Sequence, residues 1–114
     1  MNPREYSSRG ALEDAQEEER MAARLRVDRA EDFLAHFRST ATRMQESLYG
    51  LAAREGVLDS PAFRAEFTRV RDDVEENLRG AVAVVAGLED AYQATLTRHS
   101  DELTTFLEHH RTAE

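Results

Sequence analysis

The side chains best suited to hold a metal or move a proton are four histidines, His36, His99, His109 and His110, with the carboxylates near the last three. His99 and Glu102 stand three residues apart, a spacing that puts both on one face of a helix, where they could grip one ion. Asp101, Glu108 and Glu114 are the other acids close by. His99 and His110 are eleven positions apart, about three turns, so they share a face without reaching a common ion. A di-metal bundle site needs a second Glu-x-x-His unit, and the chain has none. Histidine near a helix carboxyl end also has an ordinary role, because it complements the helix dipole. His99, Glu102, His109 and His110 therefore define one alternative only, a metal-binding four-helix bundle.

Nucleophiles are no better provided. Ser39, Ser47, Ser60 and Ser100 fall on expected helices or caps, and no Gly-x-Ser-x-Gly elbow surrounds any of them. The five glycines make no phosphate loop, and the absence of cysteine excludes disulfides, thiolate metal sites and cysteine nucleophiles. The expectation is a protein that is not an enzyme and needs no cofactor.

The elements that would carry these residues are read from the apolar spacing. Phe63, Phe67, Val70, Val74, Leu78, Ala81, Val85, Leu88, Tyr92, Leu96, His99, Leu103 and Phe106 follow one another at three or four residues, which keeps them on one face of a long helix. An earlier seam runs through Val27, Ala30, Leu34, Phe37, Ala41, Met44, Leu48 and Leu51, with alternating steps as in a coiled coil. The acidic stretch before it, with Glu13, Asp14, Glu17, Glu18 and Glu19, is weakly apolar and reads as a solvated or frayed extension of a helix beginning near Leu12. Gly56, preceded by Arg54 and followed by Val57, is the better helix stop, which leaves Gly50 inside the first helix. Asp59 and Ser60 can cap a second helix opened by Pro61. Residues 1–10 form a flexible arm and 11–114 a single domain: helix one over about 12–55, a turn over about 56–59, and helix two over about 60–111. A connection that short makes the helices antiparallel. The fold class is all-α, a long two-helix hairpin assembling into a four-helix bundle or coiled-coil oligomer.

Charge narrows the partners. Acidic and basic residues make up 33% of the 114 residues, and the net charge of -8 repels phosphate backbones and anionic lipid surfaces, so nucleic acid is excluded as a partner. The longest apolar run, Ala81 to Leu88, is far short of the roughly 20 residues of a membrane span, so membrane insertion is excluded too. Met1 to Gly10 lacks a signal-peptide pattern, so the chain is expected in the cytoplasm when made, with any secretion by a route that cleaves no signal. What remains is protein. Gly80, Val84, Gly87, Ala91 and Ala94 form a second, small-residue stripe beside the main seam, able to admit either the other helix of the hairpin or a second chain. The expected partner interface comprises Leu34, Phe37, Met44, Leu48, Phe67, Val74, Leu78, Gly80, Val84, Gly87, Ala91 and Ala94.

Some short motifs carry a resemblance. Leu48-Tyr49-Gly50 stands near the bend where a Trp-x-Gly turn would, with leucine for tryptophan, and His99, Phe106 and His110 recur at successive helical positions near the carboxyl end. In these features, in its size and in its helical pattern over about Val27 to His110, the chain resembles the small WXG-type proteins of type VII (ESX) secretion systems. It departs from their acid position, where Leu103 stands, and from their Tyr-x-x-x-acid export signal, since Leu96 follows Tyr92 by four. The resemblance implies a hairpin that pairs as a homodimer or with a helical heteropartner, and a role as a secretion substrate or accessory partner. The alternative is a cytoplasmic chaperone, adaptor or structural subunit of another secretion or assembly machine, in which the hairpin sheathes a client helix.

Overall fold

A computed structural model describes the backbone of residues 8–113 and the side chains of 8–111. It contains α1, Arg9–Arg54, and α2, Pro61–Ala113, and the described residues hold no strand. The fold is all-α, a long antiparallel helical hairpin. Most of the expected arm, 1–7, lies outside the described residues, whereas Arg9 and Gly10 already belong to α1.

Each helix end follows from its local sequence. Ser8 caps α1, its Oγ accepting from Ala11 N–H at 3.1 Å and its carbonyl from Leu12 N–H at 3.1 Å. At the other end Gly56 takes φ 72°, a left-handed conformation that glycine adopts without steric cost. There Val57 N–H reaches back to the Ala52 carbonyl at 3.0 Å and Gly56 N–H to that of Ala53 at 3.2 Å. This pair of bonds closes the open carbonyls of the last turn. Ser60 then caps α2 through Phe63 N–H, 3.4 Å from its Oγ, and Pro61 occupies the first helical position.

The described residues of the chain divide into two compact units, one within Met1–Arg29 and Ala86–Glu114, the other Ala30–Val85. In the first, the terminal unit, Leu12 (1% exposed) and Val27 (0%) are fully buried, with Gln16, Ala23, His99 and Phe106 beside them in the buried set. Leu12 and Val27 each contribute about 1.5–3 kcal/mol through burial. The acidic start of α1 is thus packed, not solvated: its charges point outward while Leu12, Ala15 and Gln16 face inward. In the second, the turn unit, Ala41 and Ala52 are buried and Leu34, Phe37, Gln45 and Leu48 half-buried on α1, as are Phe63, Phe67, Val70, Val74, Leu78, Ala81 and Val85 on α2.

Every α2 residue of the expected seam is buried or half-buried. On α1 the seam differs at two positions: Met44 and Leu51 are exposed, and Gln45 and Ala52 replace them. A strict seven-residue repeat from Phe37 to Met44 to Leu51 rotates about 20° per heptad around a straight helix. The covered positions Phe37, Ala41, Gln45, Leu48 and Ala52 instead track the helix's own period of about 3.6.

Candidate functional site

The turn unit carries a lateral groove. Between α1 and α2 the small side chain of Ala41 leaves a cavity of about 320 Å³, floored by Phe37, Ala41, Val74 and Leu78 and rimmed by Arg38, Thr42, Gln45, Arg71 and Glu75. Thr42 and Gln45 also border the adjoining groove under Glu46, Tyr49, Gly50 and Phe67, so both openings lie on one flank. Tyr49 is 52% exposed and meets the edge of Phe67 with ring centroids 6.0 Å apart. Phe67 in turn lies 5.6 Å from Phe63. Arg38, Arg71, Glu75 and Glu46 form no ion pair or hydrogen bond among the described residues, whereas Arg69 is paired with Glu66 at 3.0 Å and Arg64 with Asp59 at 3.1 Å.

The terminal unit holds a polar cluster around His99, which is 4% exposed. Gln16 Nε2 donates to the His99 carbonyl at 2.9 Å, and Arg20 Nη1 lies 3.3 Å from His99 Nδ1. A guanidinium can only donate, so Nδ1 must accept and the imidazole proton sits on Nε2. That atom is buried without a hydrogen-bond partner; Glu19 Oε1 lies 3.5 Å away, and Glu19 is itself ion-paired with Arg98. Burial lowers the His99 pKa below its ordinary value; Glu102 raises it, and Arg98 and Arg20 lower it further. With Nδ1 facing a cation and Nε2 protonated, His99 in this arrangement offers no lone pair to a metal. Among the described residues no group of three His, Asp or Glu side chains is placed to hold one.

The residues expected at an interface fall into two classes. Leu34, Phe37, Leu48, Phe67, Val74 and Leu78 are half-buried within the hairpin. Met44, Gly80, Val84, Gly87, Ala91 and Ala94 are exposed, Val84 at 59%. The stripe does not admit the other helix of the hairpin: a Cβ built on Gly80 or Gly87 would meet nothing within 4 Å. Further large apolar side chains are exposed away from the seams, among them Met21 (65%) and Leu25 in the terminal unit and Phe33 (64%) and Val82 in the turn unit.

The residues of the WXG-like pattern are dispersed. Leu48, Tyr49 and Gly50 lie inside α1, six residues before the left-handed glycine of the turn. Phe106 and His110 stack with ring centroids 3.8 Å apart, and His110 Nδ1–H donates to the Phe106 carbonyl at 3.0 Å. Sequence reasoning missed Gln16, Glu19 and Arg20 around His99, and Arg38, Arg71 and Glu75 around the groove. The signal for both sets was the antiparallel pairing, which places residues of α1 and α2 opposite each other when their numbers sum to about 116, as Tyr49 and Phe67 do.

No described helix is long and apolar enough to cross a membrane. No protein-family model, no curated protein and no solved structure matches the chain.

Proposed function

We propose that this chain is a non-enzymatic helical interaction protein, which acts by packing exposed apolar side chains against helices of another protein molecule. One observation carries the reading: large apolar residues such as Phe33, Val82 and Val84 are exposed away from the seam that holds the hairpin together. His99, whose protonation burial disfavours, is oriented by Arg20 and held away from water.

Within this reading, the likeness of Leu48-Tyr49-Gly50 and of His99, Phe106 and His110 to the WXG pattern favours a substrate or accessory partner of type VII secretion. Sedimentation of the purified protein between 1 and 100 µM, with a dye that reports exposed apolar surface, tests the core of the proposal. The expected result is either self-association or strong dye binding by the free chain. A monomer at every concentration that binds no dye would overturn it. For the secretion role, the protein should disappear from the culture medium when the secretion ATPase of its native host is deleted; unchanged export would remove that role alone.

A further inference from the structure

We infer that the groove flank of the turn unit docks a second copy of this chain, about a twofold axis parallel to the helices, with Arg38 of each copy against Glu75 of the other. The inference rests on the proposed role in helix packing and names one partner and one face for it, the flank opposite to Phe33 and Val84. Arg38, Arg71, Glu75 and Glu46 border two adjoining openings on one flank, and none of the four has an ion-pair partner within the described chain. A twofold axis in this direction lays α1 of one copy over α2 of the other, antiparallel and at the same height. The Tyr49–Phe67 contact sets those heights: residue pairs summing to about 116 lie level.

Arg38 is then level with Leu78, three residues from Glu75, an offset of about 4.5 Å along the helix. An arginine side chain spans that distance. Arg71 is level with Gln45, one residue from Glu46. Each copy thus offers base, acid, base and acid where the other offers their complements, and symmetry doubles every pair. The same faces stacked about a twofold perpendicular to the helices, centred on the groove, would instead set Glu75 against Glu75 of the second copy. Phe37, Ala41, Val74 and Leu78 supply the apolar floor, across which the stems of Arg38 and Arg71 can lie. The small-residue stripe through Gly80 and Gly87 offers no comparable pairing and is left aside.

Charge reversal tests the arrangement. Arg38→Glu and Glu75→Arg should each weaken self-association, by on the order of tenfold at physiological salt, because each replaces two attractive contacts with two repulsive ones. The double variant Arg38→Glu/Glu75→Arg should return the dissociation constant to within about threefold of the parent. Circular dichroism guards against misfolding, and the double variant does so independently, since rescue requires a folded chain. A dimer indifferent to the single reversals, or singles not rescued by the pair, would overturn this face while leaving the general role in helix packing intact. A parent chain that stays monomeric at 100 µM yet binds the apolar dye would also overturn the self-docking but not that role. A monomer that binds no dye would end both.

Discussion

Replacing Leu12 by alanine is the sharpest test of how the acidic start of α1 is held. Leu12 is 1% exposed, although Glu13, Asp14, Glu17, Glu18 and Glu19 surround it in sequence. The substitution removes three carbons from a buried side chain, worth about 2.4 kcal/mol at roughly 0.8 kcal/mol for each. It also enlarges a small polar cavity of about 40 Å³ lined by Leu12, Gln16, Glu19, Arg98 and His99, which would admit water beside the imidazole. Leu→Ala in a rigid core costs up to about 5 kcal/mol, but the first turns of a helix can relax, so about 2–3 kcal/mol is expected. Met21→Ala is the control: Met21 is 65% exposed, and its loss should change stability by less than about 0.5 kcal/mol. Urea denaturation followed by circular dichroism measures both, at one protein concentration because any association shifts the apparent stability. Equal effects from the two variants would refute the packing of this segment and restore the solvated extension that composition suggests.

Two further outcomes follow from the same geometry. His99 has a pKa below its usual 6.5, chiefly through burial, so the native state binds this proton less readily than the unfolded chain. Stability from the neutral imidazole is therefore complete above about pH 6.5 and is lost as pH falls below that value toward the native pKa; thermal melts between pH 5 and 8 should show the decline, and His99→Gln should flatten it. Gly50 inside α1 and Gly56 just beyond its end should respond with opposite signs. Gly56→Ala puts a Cβ at φ 72° and should destabilise by about 1 kcal/mol, although no atom lies within 4 Å to clash. Gly50→Ala, in mid-helix with equally open surroundings, should stabilise by up to about 1 kcal/mol; urea midpoints that moved in the same direction would contradict the placement of the turn.

The fold was legible wherever an apolar residue marked each turn. All thirteen seam residues of α2 from Phe63 to Phe106 are covered, because that helix spends an apolar side chain, or His99, at every step of its inner face. On α1 the inner face is partly polar. Gln16, Arg20 and Gln45 occupy covered or half-covered positions that counting apolar residues passes over, so the seam seemed to begin at Val27 and to run through Met44 and Leu51. Gln16 could sit inside because the His99 carbonyl accepts from its amide. The helix breaks were plain for a different reason: Gly56, Ser60 and Pro61 act through backbone geometry and local hydrogen bonds, which need no knowledge of the partner helix.

The site was less legible, because periodicity identifies a face and not what covers it. A helix with one neighbour buries a stripe about 100° wide, and residues immediately before or after a seam position point away from it. Phe33 precedes Leu34, Val84 precedes Val85 and Val82 follows Ala81, so none can stabilise the hairpin by burial in its seam. Such residues lower solubility and favour aggregation when left bare. Arg38, Arg71 and Glu75 are equally without purpose inside the hairpin, being charged, oriented along one flank and unpaired. Two kinds of residue, apolar and ionic, thus lie where the hairpin gains nothing from them: Val82, seven residues from Glu75, shares the ionic flank, while Phe33 and Val84, five and nine residues from Arg38 and Glu75, lie on the opposite one, so helical surfaces contributed on both flanks would cover the apolar side chains and meet the charges.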